Sequence, residues 1–230
     1  MNTLRALFLL GAMLFCIGVQ SVRADESDDM IEAVKANDMA RINALIQLDE
    51  IQRLIKKDDG GNLFAYLIDV GTADVVKLFI DNGANVNGTY NGKTALLLCL
   101  KNKCQQKAEK MKLLIAAGAD VNKVSQMSNG MMPTIVYAAD VPELLRILID
   151  AGADVNARET NSRLEFTPLM WAVSASPPAI ESVRMLIEAG ADLNVRDSAR
   201  GKTVLGIAKQ YKKQAGYDDV IKLLKSAGAK

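Results

Sequence analysis

Apolar residues recur along the chain at helical spacing, and each such run ends at a glycine. Between Asp74 and Ala84, the residues Val75, Leu78 and Phe79 stand at i, i+3 and i+4, which places one apolar stripe along a helix. A glycine directly after such a run favours a left-handed helix stop. The pattern therefore predicts amphipathic helices here and in KMKLLIAAGA, PELLRILIDAGA, ESVRMLIEAGA and DDVIKLLKSAGA.

A shorter apolar segment precedes each of these helices. Thr or Asn at its start can cap a helix, and Pro133 and Pro168 fit a first helical turn. The segments are GGNLFAYLI (60–68), GKTALLLCL (92–100), MPTIVYAA (132–139), FTPLMWAV (166–173) and GKTVLGIAK (201–209). The chain is thus predicted to form helix pairs, three of them with longer internal loops, KNKCQQKAEK, SASPPAIES and KQYKKQAGYDD.

A six-residue phrase repeats after the longer helices. It reads NGANVN, AGADVN, AGADVN and AGADLN, with a truncated SAGAK at the end, and its glycines are 34 to 38 residues apart. Self-similarity at this period is typical of a repeat protein. The recurring Asp120, Asp154 and Asp192 are predicted to make hydrogen bonds within turns.

The order of turn, short helix, longer helix and Gly-Ala-Asp-Val-Asn resembles the ankyrin repeat. The closest matches are FTPLMWA (166–172) and AGADVN (151–156). The resemblance implies an all-α fold, a solenoid of stacked helix-turn-helix units with extended or β-hairpin fingers. Six repeats are expected, at roughly 27–57, 58–90, 91–128, 129–163, 164–198 and 199–230. The first of them would hold helices at 28–35 and 39–48.

The first 24 residues have the pattern of an export signal. Arg5 precedes an uncharged run of 17 residues, and Val22 and Ala24 stand three and one residues before an acidic start. This predicts a signal peptide cleaved after Ala24, and hence a periplasmic or secreted protein free of the membrane. An uncleaved anchor is the alternative, because the run is at the lower limit for crossing a bilayer. A lipid-modified Cys16 is disfavoured by the bulky Phe15 before it.

Composition and motifs provide no case for an enzyme. The chain has 28 basic and 27 acidic side chains, so charge does not favour a nucleic-acid partner. It has no histidine, which excludes a Ser-His nucleophile. GTYNGKT (88–94) and RDSARGKT (196–203) fail the spacing of a phosphate-binding loop. No metal-ligand spacing is present, and no cofactor is expected.

The resemblance implies that a protein partner binds the concave side, formed by the fingers and the short helices. The variable helix position is assigned to Tyr66, Leu98, Val136, Trp171 and Ile207. Packing between repeats is the alternative for the three aliphatic residues, whereas large amphipathic rings favour a wet boundary. Met and Arg are also enriched in interfaces. The predicted contact residues are Tyr66, Tyr90, Met127, Met131, Arg158, Arg163, Trp171, Arg196 and Arg200.

These observations predict a monomeric, non-enzymatic module that binds one protein partner. By analogy with exported bacterial ankyrin proteins, it would serve as an inhibitor or immunity protein, or assist a stress-defence enzyme. A secreted effector is a further option.

The alternative function is that of a thiol redox protein using Cys99 and Cys104. An oxidising compartment would allow a disulfide between them, and Lys101, Lys103 and Lys107 could activate a thiolate. Cys99 occupies an alanine position of the repeat, which favours a small buried residue instead.

Overall fold

The chain folds into helix pairs joined by short β-hairpins. The computed structural model describes residues 25–58, 62–100, 104–128, 130–160 and 163–230. The predicted signal peptide lies outside these residues and stays a prediction. The helices are α1 (Asp25–Lys35), α2 (Met39–Leu45), α3 (Asp49–Ile55), α4 (Leu63–Leu67), α5 (Ala73–Asp81), α6 (Ala95–Cys99), α7 (Lys107–Ala116), α8 (Thr134–Tyr137), α9 (Pro142–Asp150), α10 (Pro168–Ser174), α11 (Ile180–Glu188), α12 (Val204–Gln210) and α13 (Tyr217–Ser226).

From α4 onwards the helices form two layers. The shorter helices α4, α6, α8, α10 and α12 contact one another in this order, and so do α5, α7, α9, α11 and α13. Apolar side chains from both layers form one continuous buried core. None of the helices that the structure describes has the length and apolar character needed to cross a membrane.

Four of the five short helices begin at capping side chains, as predicted, whereas α8 follows Pro133 without one. The hydroxyls of Thr94, Thr167 and Thr203 each accept a hydrogen bond from a backbone N–H three residues on, and the Asn62 amide oxygen does the same for α4. Such a bond satisfies one of the free N–H groups at a helix start. The longer helices end where the sequence indicates, at glycines with positive φ.

Short strands form the fingers between helix pairs. β1 (Thr89–Tyr90) pairs with β2 (Lys93–Thr94), and β3 (Val124–Met127) pairs with β4 (Gly130–Pro133), both antiparallel. The two later fingers make single bridges, Met131 with Thr160 and Arg196 with Thr203. The predicted extended fingers are thus partly hairpins and partly irregular links.

In the fourth repeat, the predicted start of the short helix is wrong by one residue. Pro133 does not lie in a first helical turn; it ends β4, opposite Val124, and precedes α8. The helix therefore begins one residue later than predicted. The position equivalent to Trp171 is Tyr137, which is 39% exposed, while the predicted Val136 is 2% exposed.

Two further segments differ from the sequence analysis. The structure adds α3, whose Ile51 and Ile55 are completely buried, at the end of the first predicted repeat. Residues 107–110, predicted as loop, form the first turn of α7. Both segments use polar-rich sequence whose few apolar residues are nevertheless turned towards the core.

Asparagine side chains connect successive repeats. The Asn122 amide oxygen accepts from the Asp154 backbone N–H at 2.9 Å, and its amide nitrogen donates to the Gly152 carbonyl at 3.3 Å. Within its own repeat, the Asn122 backbone N–H donates to the Asp120 carboxylate, the turn bond predicted for that residue. Asn87 and Asn156 repeat this pattern, forming an asparagine ladder.

We expect Asn122→Ala to lower the free energy of unfolding by about 1 to 2 kcal/mol, because two inter-repeat hydrogen bonds are lost. Urea denaturation measures the loss. Asn194→Ala is the matched control, since within the described residues its side-chain oxygen accepts only from the Lys230 backbone N–H, near the chain end. An equal or larger loss in the control would contradict a stabilising role for the internal rungs of the ladder.

Candidate protein-binding surface

Two aromatic rings stand exposed at the same position of neighbouring short helices. Tyr137 ends α8 and Trp171 lies in α10, and each is 39% exposed. Both border a cavity of about 280 Å³, together with the exposed Val141. Lys107 and Asp140 supply charged groups at its edge. The cavity is therefore mainly apolar with a polar rim, as is common in recognition sites.

Trp171 is held in place although its ring is exposed. Its indole N–H donates a hydrogen bond to the carboxylate of Glu159, which is itself buried. Phe166 meets the indole edge-on, with ring centroids 6.0 Å apart and planes at 80°. Edge-to-face contacts of this kind stabilise aromatic pairs. A partner would thus meet an indole whose orientation is already fixed.

Two more cavities also border Trp171. One of about 510 Å³ lies towards Arg163 and Leu164, and one of about 220 Å³ lies towards Lys202 and Tyr211; Arg200 lines both. We call the set Tyr137, Val141, Arg163, Trp171 and Arg200 the Trp171 surface. It offers recesses for side chains around one central ring.

The four predicted arginines divide into two pairs. Arg158 donates to the carbonyls of Glu165 and Arg196, each at 3.0 Å, and Arg196 donates to the Gly201 carbonyl at 2.6 Å. Arg158 thus joins the two later fingers, whereas Arg196 stabilises its own finger. Arg163 and Arg200 are exposed and make no ion pair within the described residues. Their charges face solvent beside Trp171.

The other predicted contact residues do not line the three cavities around Trp171. Tyr66 and Tyr90 pack against each other with ring centroids 4.9 Å apart, two short helices away from α8. Met127 packs against the core, and the Met131 backbone pairs with Thr160.

Two of the three aliphatic residues assigned to the variable helix position do occupy that position, but their side chains are buried. Leu98 and Ile207 are 3% and 5% exposed, which favours the interpretation that they pack between repeats. Of the residues assigned to the variable helix position, only the aromatic ones therefore remain candidates for contact with a partner.

Tyr137 and Val141 were missed by the sequence analysis. The signal was the distance from the capping residue, because Tyr66, Leu98, Trp171 and Ile207 each follow their cap by four residues. Counting four residues from Pro133, the residue before α8, gives Tyr137. The proline had instead been aligned with Pro168, which does occupy the first turn of α10.

The predicted cysteine pair lies where α6 ends and α7 begins, and neither cysteine lines the cavities around Trp171. Cys99 and Cys104 are both free thiols and both are buried. A disulfide between them stays a prediction.

Comparison with known families gives a clear assignment. A model described as ankyrin repeats (3 copies) matches residues 30–125, 103–197 and 134–230. A comparison with curated proteins found no match. Ankyrin repeats are generally protein–protein interaction modules, and the family is typically non-enzymatic. The helix pairs, the hairpins and matches that span the chain from residue 30 to its end show that this protein belongs to the ankyrin-repeat family.

Proposed function

We propose that this protein is an exported, non-enzymatic binding module that holds one protein partner on the concave face of its repeats. The Trp171 surface would be the centre of that contact. One observation carries the proposal: an exposed indole, fixed by Glu159 and Phe166, borders three cavities. The short helices and the hairpins would supply the rest of the interface.

The composition of the Trp171 surface is that of an interface centre. Trp, Tyr and Arg dominate the few residues that carry most binding energy in protein complexes. A ring that is already oriented loses little conformational entropy when a partner arrives. Arg163 and Arg200 would add charged hydrogen bonds at the rim, where they set orientation more than affinity.

The N-terminal sequence supports export. We infer that residues 1–24 are a signal peptide cleaved after Ala24, which makes the module periplasmic or secreted. The biological role would be inhibition of a toxin or envelope enzyme, or assistance to a stress-defence enzyme. The module would act as a monomer.

Affinity capture tests the proposal. The tagged protein, exported through its own N-terminus, serves as bait beside a Tyr137→Ala/Trp171→Ala variant. A Leu48→Ala/Val70→Ala variant is the matched control, because these side chains are each 37% exposed and lie in turns of the first repeats. We expect one protein to be retained by the wild type and the control and to be lost from the aromatic variant. Equal retention by all three baits would place the binding site elsewhere.

Trp171 also gives a direct readout, since it is the only tryptophan in the chain. Adding the captured partner to the purified module is expected to shift and enhance or quench Trp171 emission, because contact removes water from the indole. The Leu48→Ala/Val70→Ala control should respond like the wild type. An unchanged emission spectrum at saturating partner would contradict contact at Trp171.

A further inference from the structure

A lysine side chain is completely buried beside the two cysteines. Lys110, in the first turns of α7, has no exposed surface. Its ammonium group donates to the Ile68 carbonyl at 3.0 Å and to the Cys104 sulfur at 3.5 Å. Removing an ammonium from water costs several kcal/mol unless an opposite charge and hydrogen bonds compensate it. The surroundings of Lys110 should therefore contain an anion.

Among the described residues, no carboxylate forms an ion pair with Lys110. Asp69 is the acidic residue that faces the cluster, and its buried Oδ1 has no hydrogen-bond partner in the described structure. The nearby ammonium of Lys107 donates elsewhere, to the Leu100 carbonyl at 3.1 Å. The group that Lys110 touches and that can become an anion is the Cys104 sulfur. As a thiol, Cys104 donates to the Ile68 carbonyl at 3.6 Å and the Gln105 carbonyl at 3.5 Å. When it loses its proton, it provides the compensating charge as a thiolate.

Cys99 completes the cluster as a second thiol. It is completely buried, whereas Cys104 is 4% exposed. The hydrogen bond with Cys99, aided by the Lys110 charge, lowers the pKa of Cys104 to about 7, against the opposing effects of burial and Asp69. The hydrogen bond with Cys104, together with burial, raises the pKa of Cys99 well above its ordinary value. The two sulfurs therefore differ: Cys104 loses its proton more readily than an ordinary cysteine, whereas Cys99 stays a thiol.

We propose that Cys104 is a peroxide-reactive thiolate, with Lys110 as its counter-charge and Cys99 as the thiol that resolves the oxidised sulfur. Burial selects the oxidant class, because a sulfur this enclosed admits hydrogen peroxide or a small organic hydroperoxide far more readily than a protein disulfide. A lysine ammonium next to a thiol lowers the pKa of that thiol and thereby raises its reactivity.

The chemistry balances in two steps. The Cys104 sulfur attacks one peroxide oxygen, the O–O bond breaks, and the departing oxygen takes a proton from water, which leaves Cys104 as a sulfenic acid. The Cys99 sulfur then attacks the Cys104 sulfur, so the S–S bond forms and the S–O bond breaks. The departing hydroxide takes the Cys99 proton and leaves as water. The two thiols have together given two electrons to the peroxide.

Lys110 makes this oxidation easily reversible. A disulfide carries no negative charge, so its formation leaves the buried ammonium facing only Asp69. Stabilising the reduced form in this way raises the reduction potential, which is the property of labile rather than structural disulfides. An external thiol would accordingly restore Cys99 and Cys104 with little difficulty.

The first test titrates the thiolate by its ultraviolet absorbance. The full chain carries Cys16→Ser, so that Cys99 and Cys104 are the only cysteines. We expect a titration midpoint at about 7, its disappearance in Cys104→Ser and a raised midpoint in Lys110→Met. Lys107→Met is the matched control, because this ammonium lies on the same helix but binds the Leu100 carbonyl; its midpoint should not move. No thiolate titrating below pH 8 in the folded wild type would overturn the proposal, whether or not Lys110→Met folds.

The second test follows the reaction with one equivalent of hydrogen peroxide. We expect wild-type protein to lose two hydrogens by mass, and Cys99→Ser to stop at a sulfenic acid that a dimedone probe traps. Lys110→Met should react at least about fivefold more slowly at pH 7, since its smaller thiolate fraction outweighs the gain in intrinsic nucleophilicity. An intermolecular disulfide as the sole product, or equal rates in wild type and Lys110→Met, would refute the assigned roles.

Discussion

Gly88→Ala is expected to lower the free energy of unfolding by about 3 to 5 kcal/mol, combining overpacking with the loss of buried hydrogen bonds. An added Cβ would lie 2.2 Å from the Asn62 amide nitrogen and 2.5 Å from the Lys57 carbonyl. Asn62 is completely buried. Its amide nitrogen donates to the Ile55 and Lys57 carbonyls, and its amide oxygen caps α4 at the Ala65 N–H. Displacing Asn62 therefore loosens the junction between α3 and α4, which urea denaturation will register.

Gly118→Ala separates this packing effect from backbone strain. Gly118 has a φ of 87°, and an added Cβ meets no atom within 4 Å. The left-handed backbone alone is expected to cost about 1 to 2 kcal/mol. Gly88 has no such strain, so the two substitutions isolate two different reasons for glycine. A larger loss at Gly118 than at Gly88 would show that the space around Asn62 is less filled than described.

Most of the helical framework could be predicted from the sequence because its signals are local and repeated. A threonine such as Thr94 caps its helix through a bond three residues away, and a glycine such as Gly118 ends a helix through its own φ. The turn bonds of Asp120, Asp154 and Asp192 span only two residues. Repetition along the chain then distinguishes these signals from chance.

The register of α8 could not be predicted in the same way. Pro133 is compatible with a first helical turn, but pairing with Val124 in the β3–β4 hairpin draws it into a strand. That pairing joins residues nine positions apart, beyond the three or four residues over which a helix start is signalled. The same holds for α3, where burial of Ile51 and Ile55 against neighbouring helices decides the conformation.

The candidate sites show the same division. The sequence analysis predicts arginines as contact residues together with Trp171. It does not show that the guanidinium groups of Arg158 and Arg196 already donate hydrogen bonds to backbone carbonyls. For Cys104 the sequence analysis considered three lysines close to it in the chain. The lysine that contacts the thiol is Lys110, turned inward by α7 and bound to Ile68, 42 residues away.

Phe79→Ala is expected to lower the free energy of unfolding by about 3 to 5 kcal/mol, the usual range for removing a fully buried phenylalanine. Phe79 in α5 and Phe64 in α4 are both completely buried and stack with ring centroids 6.0 Å apart. Truncation would leave a cavity between the two layers of helices. Leu78→Ala is the control on the same helix, since Leu78 is half-buried and should cost less.

Two optical signals, circular dichroism and Trp171 emission, allow the Phe79→Ala experiment to report on distant parts of the chain. Circular dichroism reports all helices, whereas Trp171 emission reports α10, which is separated from α4 by α6 and α8 in the layer of short helices. Repeat proteins are stabilised by contacts between neighbours, so a local loss can either spread or stay local. Because the buried core is continuous from α4 to α13, we expect both urea transitions to shift together. A dichroism transition that moves while Trp171 emission does not would show that α10 unfolds independently, and that the surface around Trp171 can survive damage to the first repeats.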